Sequence, residues 1–150
     1  FKRLYPTCRG YRAPSFSLSN ETKWALKIIY EEGFKYDSSI FPSWTPLYGV
    51  YSAPIKPYRP SLNDVSKENE DNHGVLEFPL AVYPFLGRNA KPSFVISLRF
   101  WNIGLIKRGI NKLAKNDYPA VISVHNWELD SETPKLSLNA LGKFNNQVPK

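Results

Sequence analysis

An α/β domain is the fold class that this sequence predicts, and three observations predict it. The run from Ala120 to Val124 is short, almost wholly apolar and rich in β-branched residues, which suits a strand covered on both faces. A helix-period stretch from about Leu98 leads into it, and an earlier one from Ser19 leads into the strand-like Phe34-Lys35-Tyr36. Strand, helix and strand in succession argue for a parallel sheet with helical connections. Such folds place their chemistry on polar residues just past the carboxyl ends of the strands.

Taken in order, SNETKWALKIIYEEGF reads as the first helix. Ser19 or Asn20 can cap it, Glu21 suits its positive end, and Trp24 with Ile28 and Ala25 with Ile29 recur at four-residue spacing. Gly33 stands in the usual position for ending a helix. The strand that follows closes on Asp37-Ser38-Ser39. From Phe41 to about Gly74 the chain carries Pro42, Pro46, Pro54, Pro57 and Pro60, then the polar run SKENEDNHG, and neither period persists. A loop of that length has a functional reason more often than not. VLEFPLAVY, from Val75 to Tyr83, favours a pleated surface, with Pro79 limiting its pairing. LRFWNIGLIKRGINKLAKND reads as the second helix, its stripe formed by Trp101, Leu105, Ile106, Ile110 and Leu113 against a basic face, and Asn116-Asp117 ends it. His125 comes immediately after the apolar run at Ala120–Val124.

The 150 residues read as one domain, 1–150, with 42% hydrophobic and 15% aromatic residues to build a core. Twenty Lys and Arg against thirteen Asp and Glu leave a net charge of +7. That excess is scattered, and Lys107, Arg108, Lys112 and Lys115 alternate with apolar residues as an ordinary solvated helix face does. No nucleic-acid motif accompanies it, so nucleic acid is not expected as a partner. A single cysteine, Cys8, excludes an internal disulfide framework and a cysteine-based zinc cluster. No apolar run approaches the roughly 18 to 20 residues that span a bilayer, so no membrane span is expected.

Two polar residues invite a chemical reading. Arg12 sits in GYRAPSFS between aromatics, and taken alone it suits either a structural ion pair or a fork that steers a carboxylate. His125, taken alone, suits either a hydrogen-bonded structural histidine or a proton donor, because an unperturbed imidazole titrates near neutrality. Glu128 and Asp130 read as loop caps as readily as ligands, and His73 in the polar loop reads as exposed.

GYRAPSFS, the helix with Trp24-Ala25-Leu26, EEGFKYDSSIFP, Leu76-Glu77-Phe78-Pro79 and His125-Asn126-Trp127-Glu128-Leu129-Asp130 occur in one characteristic order. Over most of residues 10–134 the chain resembles the second half of a polysaccharide deacetylase, in the bacterial exopolysaccharide branch of the nodulation-type deacetylases. The resemblance implies the second part of an irregular (β/α) barrel whose first strands are missing here. It also implies hydrolysis of N-acetyl groups on a polysaccharide or oligosaccharide, assisted by a divalent metal, zinc in most of the family. Arg12 then matches the arginine that orients a base carboxylate, with Pro14 fixing the backbone beside it. His125 matches the acid, and Asp37 the residue that pairs with that histidine and raises its pKa. Trp127 is a candidate wall against the acetyl group or sugar ring, and Tyr11, Phe16 and Tyr36 are further candidates for stacking on a sugar face, all of them suiting the core equally.

The sequence departs from that pattern in one large respect. The family's Thr-Phe-Asp-Asp and His-x-x-x-His segments, which carry the base and the metal ligands, are absent, and the only histidines, His73 and His125, stand 125 − 73 = 52 positions apart. No metal is expected to bind this chain alone. Asn126 replaces a proline of the family, and Asn89-Ala90-Lys91-Pro92-Ser93 replaces a glycine-rich segment. Two expectations follow: a truncation at Phe1 that has removed the metal site, or a catalytically inactive carbohydrate-binding or scaffold domain that uses aromatics of the loop between Phe41 and Gly74.

Overall fold

A computed structural model describes residues 2–43, 48–84, 93–95, 103–125 and Glu132. Three short strands, β1 (Gly10–Tyr11), β2 (Tyr36–Asp37) and β3 (Leu76–Glu77), lie side by side in that order and all run parallel. Gly10 faces Tyr36, which faces Leu76; Tyr11 faces Asp37, which faces Glu77. Tyr11, Asp37 and Glu77 are thus the last residues of three neighbouring strands. Past them the ladder goes on in single hydrogen bonds, Ser38 N to Tyr11 O at 3.0 Å, Phe78 N to Asp37 O at 2.8 Å and Leu80 N to Ile40 O at 3.3 Å.

Parallel neighbours need a crossover. Between β1 and β2 it is the helix α1, Trp24–Glu31, which starts later than the candidate caps imply. Ser19 instead organises the turn ahead of the helix, its Oγ accepting from Glu21 N at 3.2 Å while its own N–H donates to Thr22 Oγ1 at 2.9 Å. The buried face of α1 carries Leu26 and Ile29, whereas Trp24 is 63% and Ile28 49% exposed, so the Trp24/Ile28 stripe is not the one that packs. Leu26 joins Leu18, Ile40, Val50, Ala53, Tyr58 and Val65, and Ile29 joins Phe34 and Val75. Gly33, at φ +79°, ends the helix as the sequence predicts. Phe34 N reaches Ile29 O at 3.2 Å and Gly33 N reaches Tyr30 O at 2.9 Å, the paired bonds that close a helix on a left-handed glycine.

Between β2 and β3 the crossover is the long proline-rich segment, whose described part is ordered without helix or strand. It supplies Val50, Ala53, Tyr58 and Val65 to the main core. Tyr58 exchanges both backbone hydrogen bonds with Glu77, at 3.2 and 2.8 Å, and its hydroxyl donates to Val65 O at 2.6 Å. Asn20 clips the segment to the turn before α1, donating to Asp64 Oδ1 at 3.0 Å and accepting from Val65 N at 2.8 Å. Gly49, at φ +123°, passes so close to the Ser43 carbonyl that a Cβ there would overlap it.

VLEFPLAVY divides into β3 and β4 (Val82–Pro84) across Pro79, which has no N–H for a ladder. β4 pairs antiparallel with β5 (Ser93–Val95), a strand the sequence did not announce. The second helix, α2, spans Ile103–Ala114, with Ile106 and Leu113 buried and Ile110 packed beside them, as the stripe predicts; Trp101 lies outside the described residues. Ala120–Val124 differs from expectation. Among the described residues it pairs through one parallel bridge of Val121 to Leu80, with Ala81 N donating to Val121 O at 2.9 Å, and Val124 is 39% exposed. Ala120 and Ile122 pack against the Ala81, Ile106 and Leu113 cluster and Val121 against Phe41, Leu80 and Val82, so both faces of the run meet core although its pairing is reduced to one bridge.

Candidate functional site at the carboxyl ends of the strands

Because β1, β2 and β3 run the same way, the residues that follow them gather at one edge. Arg12, the first residue past β1, donates from Nε to Ser38 O at 2.9 Å and from Nη2 to Ser38 Oγ at 2.8 Å. Ser38 Oγ in turn donates to Phe78 O at 2.7 Å, so one serine ties the guanidinium over the ends of β2 and β3. Two of the five guanidinium N–H groups are thereby engaged, and the other three have no hydrogen-bond partner among the described residues. The Arg12 Cζ stands 5.6 Å from the centre of the Phe16 ring. Phe16 is set there by a tight turn, Pro14–Phe16, in which Ser15 and Phe16 take φ of 55° and 49°. Left-handed backbone at two consecutive non-glycine residues is strained, and such strain clusters at functional sites.

Arg12 and His125 line one cavity of about 440 Å³, together with Ala13, Pro14, Ser15, Phe16, Tyr48 and Ser123. Both side chains are exposed. His125 arrives from the other sheet element, four residues beyond the Leu80–Val121 bridge. A second cavity, of about 610 Å³, shares Ser15, Phe16 and Tyr48 with the first and continues along Ser17, Ser19, Asn20, Glu21, Thr22 and Tyr51. Tyr48 therefore stands between the two.

Asp37 lies one hydrogen-bonded step behind this cavity. Its Oδ1 accepts from Ser39 Oγ at 2.6 Å, and Ser39 Oγ accepts from Ala13 N at 2.8 Å. Its neighbour across the sheet is Glu77, whose Oε1 accepts from Ile40 N at 2.9 Å. Both carboxyl groups are 0% exposed, and their second oxygens, Asp37 Oδ2 and Glu77 Oε2, have no hydrogen-bond partner among the described residues. Burial raises the pKa of Asp37, while Ser39, Glu77, the Ser38 backbone and the Arg12 charge pull it down. Burial raises Glu77 well above the usual carboxylate range, and the charge of Asp37 raises it further. Desolvation likewise holds the Tyr58 phenol protonated, with Glu77 adding to it.

The structure thus brings Arg12, Pro14 and His125 together and puts Asp37 behind Ala13. Tyr11 turns to the small core, its ring 5.5 Å from that of Phe34, and is not among the residues lining the cavity. Tyr36 stands edge-on to Phe78, with ring centres 6.1 Å apart. His73 is exposed on the loop, as expected. Trp127, Glu128 and Asp130 lie outside the described residues. Among the described residues no group of three or more His, Cys, Asp or Glu side chains could hold a metal ion, and His125 is the one imidazole on the cavity. No helix among the described residues is long and apolar enough to cross a membrane.

The residue that sequence reasoning missed is Glu77. Its signal was a lone acid inside the apolar run VLEFPLAVY, where a half-buried strand has no use for a charge.

The described residues form three parallel strands and two helices, with a cavity lined by Arg12 and His125 past the carboxyl end of β1. The chain belongs to the family described as Domain of unknown function (DUF3473), whose model matches residues 38–149. Glu77, Tyr48 and His125 fall inside that match, and Arg12 and Asp37 precede it. No curated protein and no solved structure matches the chain.

Proposed function

We propose that this domain forms the carboxyl-terminal part of a polysaccharide deacetylase and supplies the Arg12–His125 half of its active site. One observation carries the reading: Arg12 and His125, which the sequence resemblance pairs across 113 positions (125 − 12), line the same cavity. The association of the DUF3473 family with polysaccharide deacetylases supports it. In this reading the substrate is an N-acetylated sugar of a polysaccharide. Arg12 turns its remaining N–H donors to a base carboxylate that is not among these residues, as a rigid, always-charged fork can. Water adds to the amide carbonyl, the C–N bond breaks, and the His125 imidazolium gives its proton to the departing amine, leaving acetate and a free amino sugar. A metal held by the family segments that this sequence lacks would supply Lewis-acid polarisation of the carbonyl.

The test is acetate release from an N-acetylglucosamine oligomer by the complete enzyme. Replacing His125 with Ala is expected to lower kcat by about 10² to 10⁴-fold, the contribution of a positioned general acid, with metal content unchanged. Loss of metal in that variant would assign the imidazole a different task.

A second reading is favoured by the adjoining cavity. Tyr48 and Tyr51, which are 37% and 42% exposed, come from the long loop and meet a wall of hydroxyl and amide side chains, a composition suited to stacking on and hydrogen-bonding a sugar. A carbohydrate-binding or scaffold domain would bind the oligomer there and release no acetate.

A further inference from the structure

Two carboxyl groups buried side by side raise a question of proton count. Asp37 and Glu77 end adjacent strands in direct register, and neither is reached by solvent. Each spends one oxygen on a protein donor, Asp37 Oδ1 on Ser39 Oγ and Glu77 Oε1 on Ile40 N. The other two oxygens, Asp37 Oδ2 and Glu77 Oε2, are buried with no hydrogen-bond partner among the described residues. Two ionised carboxylates on directly paired strand residues in a dry interior repel, and neither can donate to the other unless one carries a proton. The groups acting on the pair divide it unequally. Asp37 has the Arg12 charge nearby and a serine hydroxyl donating to it, whereas the Glu77 side chain accepts from the Ile40 backbone N–H.

We propose that Asp37 and Glu77 hold a single shared proton, carried by Glu77, and that Glu77 is a positioning residue for Arg12. The route is short. The anionic carboxylate of Asp37 orders the Ser39 hydroxyl; Ser39 holds Ala13 N, beside Arg12; and Ser38, next in the chain, receives the guanidinium. Losing the proton from Glu77 would set two anions against each other beneath Ser38 and Ser39 and loosen the seat of Arg12. The proton also accounts for both orphan oxygens at once, since Glu77 donates from Oε2 and Asp37 accepts at Oδ2. Only the relevance of Arg12 to catalysis rests on the deacetylase reading; the proton count does not.

Glu77→Gln copies the neutral acid, its amide oxygen accepting from Ile40 N and its amide nitrogen donating to Asp37. Two readouts on the full chain test the proposal. Infrared spectroscopy at pH 7 should show a protonated carboxylic C=O band that Glu77→Gln removes. The Arg12 Nε–H proton resonance should persist in Glu77→Gln across pH 6 to 9 but broaden or shift in the parent chain as the band disappears with rising pH. Absence of the band at pH 7 in the parent, or its survival in Glu77→Gln, overturns the shared proton. An Arg12 resonance that stays fixed while the parent's band titrates away overturns the positioning role. Should Glu77→Gln not fold, the parent's own pH series decides both points. Failure of the deacetylase reading would appear separately, as absent acetate release with both readouts intact.

Discussion

The chain contains the same local motif twice, Asp-x-Ser, at Asp37-Ser38-Ser39 and at Asp64-Val65-Ser66, and the two behave oppositely. In each the serine hydroxyl donates to the aspartate Oδ1, at 2.6 Å for Ser39 and 2.8 Å for Ser66. Asp64 stands on the surface segment, where Asn20, the Ser66 side chain and the Ser66 N–H bring its pKa down to about 2. Asp37 closes a buried strand, and there desolvation outweighs a shorter hydrogen bond and the nearby Arg12 charge, so its pKa goes up. A hydrogen-bonding motif therefore does not fix a charge state. Water access and the second carboxyl across the sheet decide it.

The largest effect that sharpens this contrast comes from Glu77. Glu77→Leu removes the donor that Asp37 depends on and strands a buried charge, and should cost about 3 kcal/mol or more in chemical denaturation at pH 7. Glu77→Gln should lose only a small part of that. Next come the matched serines. Ser39→Ala deprives both Asp37 and Ala13 N of a partner and should cost about 1–2 kcal/mol, whereas Ser66→Ala, at the solvated copy, should cost a small fraction of it. Equal losses at the two serines would break the comparison.

A smaller effect lies in the pH profile, where the two motifs have opposite signs. Folding raises the pKa of the buried pair, so its stabilisation is complete below the ordinary value of 4.5 for Glu77 and is lost as pH rises through the folded value. Folding lowers the pKa of Asp64, so its stabilisation is present above 3.8 and is lost as pH falls through about 2. Denaturation midpoints of Glu77→Gln should therefore fall less steeply with rising pH than those of the parent. Asp64→Asn gives the smallest change, a slight destabilisation at pH 7 that closes near pH 2.

Much of the scaffold was legible in the sequence. Ser19–Gly33 read as a helix and its stop, because a left-handed glycine and a four-residue period are local signals. The Trp24/Ile28 stripe misled, because periodicity names several faces of a short apolar helix, and tertiary contact with Leu18 and Ile40 chose the one carrying Leu26 and Ile29. The order of motifs named Arg12 and His125 together, and both line one cavity, Arg12 from the end of β1 and His125 from four residues past the Leu80–Val121 bridge. Glu77 was not, since its meaning depends on a register with Asp37 across forty residues (77 − 37), which no local pattern encodes. Tyr48 was hidden for the same reason, inside a loop whose path is set by Gly49, Tyr58 and the Asn20 clip.

The account turns on the cavity shared by Arg12 and His125 being the place where an N-acetylated glycan binds. Titrating the isotopically labelled chain with an N-acetylglucosamine oligomer, and following the Arg12 Nε–H, the His125 ring and the Tyr48 backbone by NMR, tests that directly. The account predicts that these three sets of resonances move together along one saturable curve. Saturable shifts that leave Arg12 and His125 in place, or no shifts at all, would contradict it.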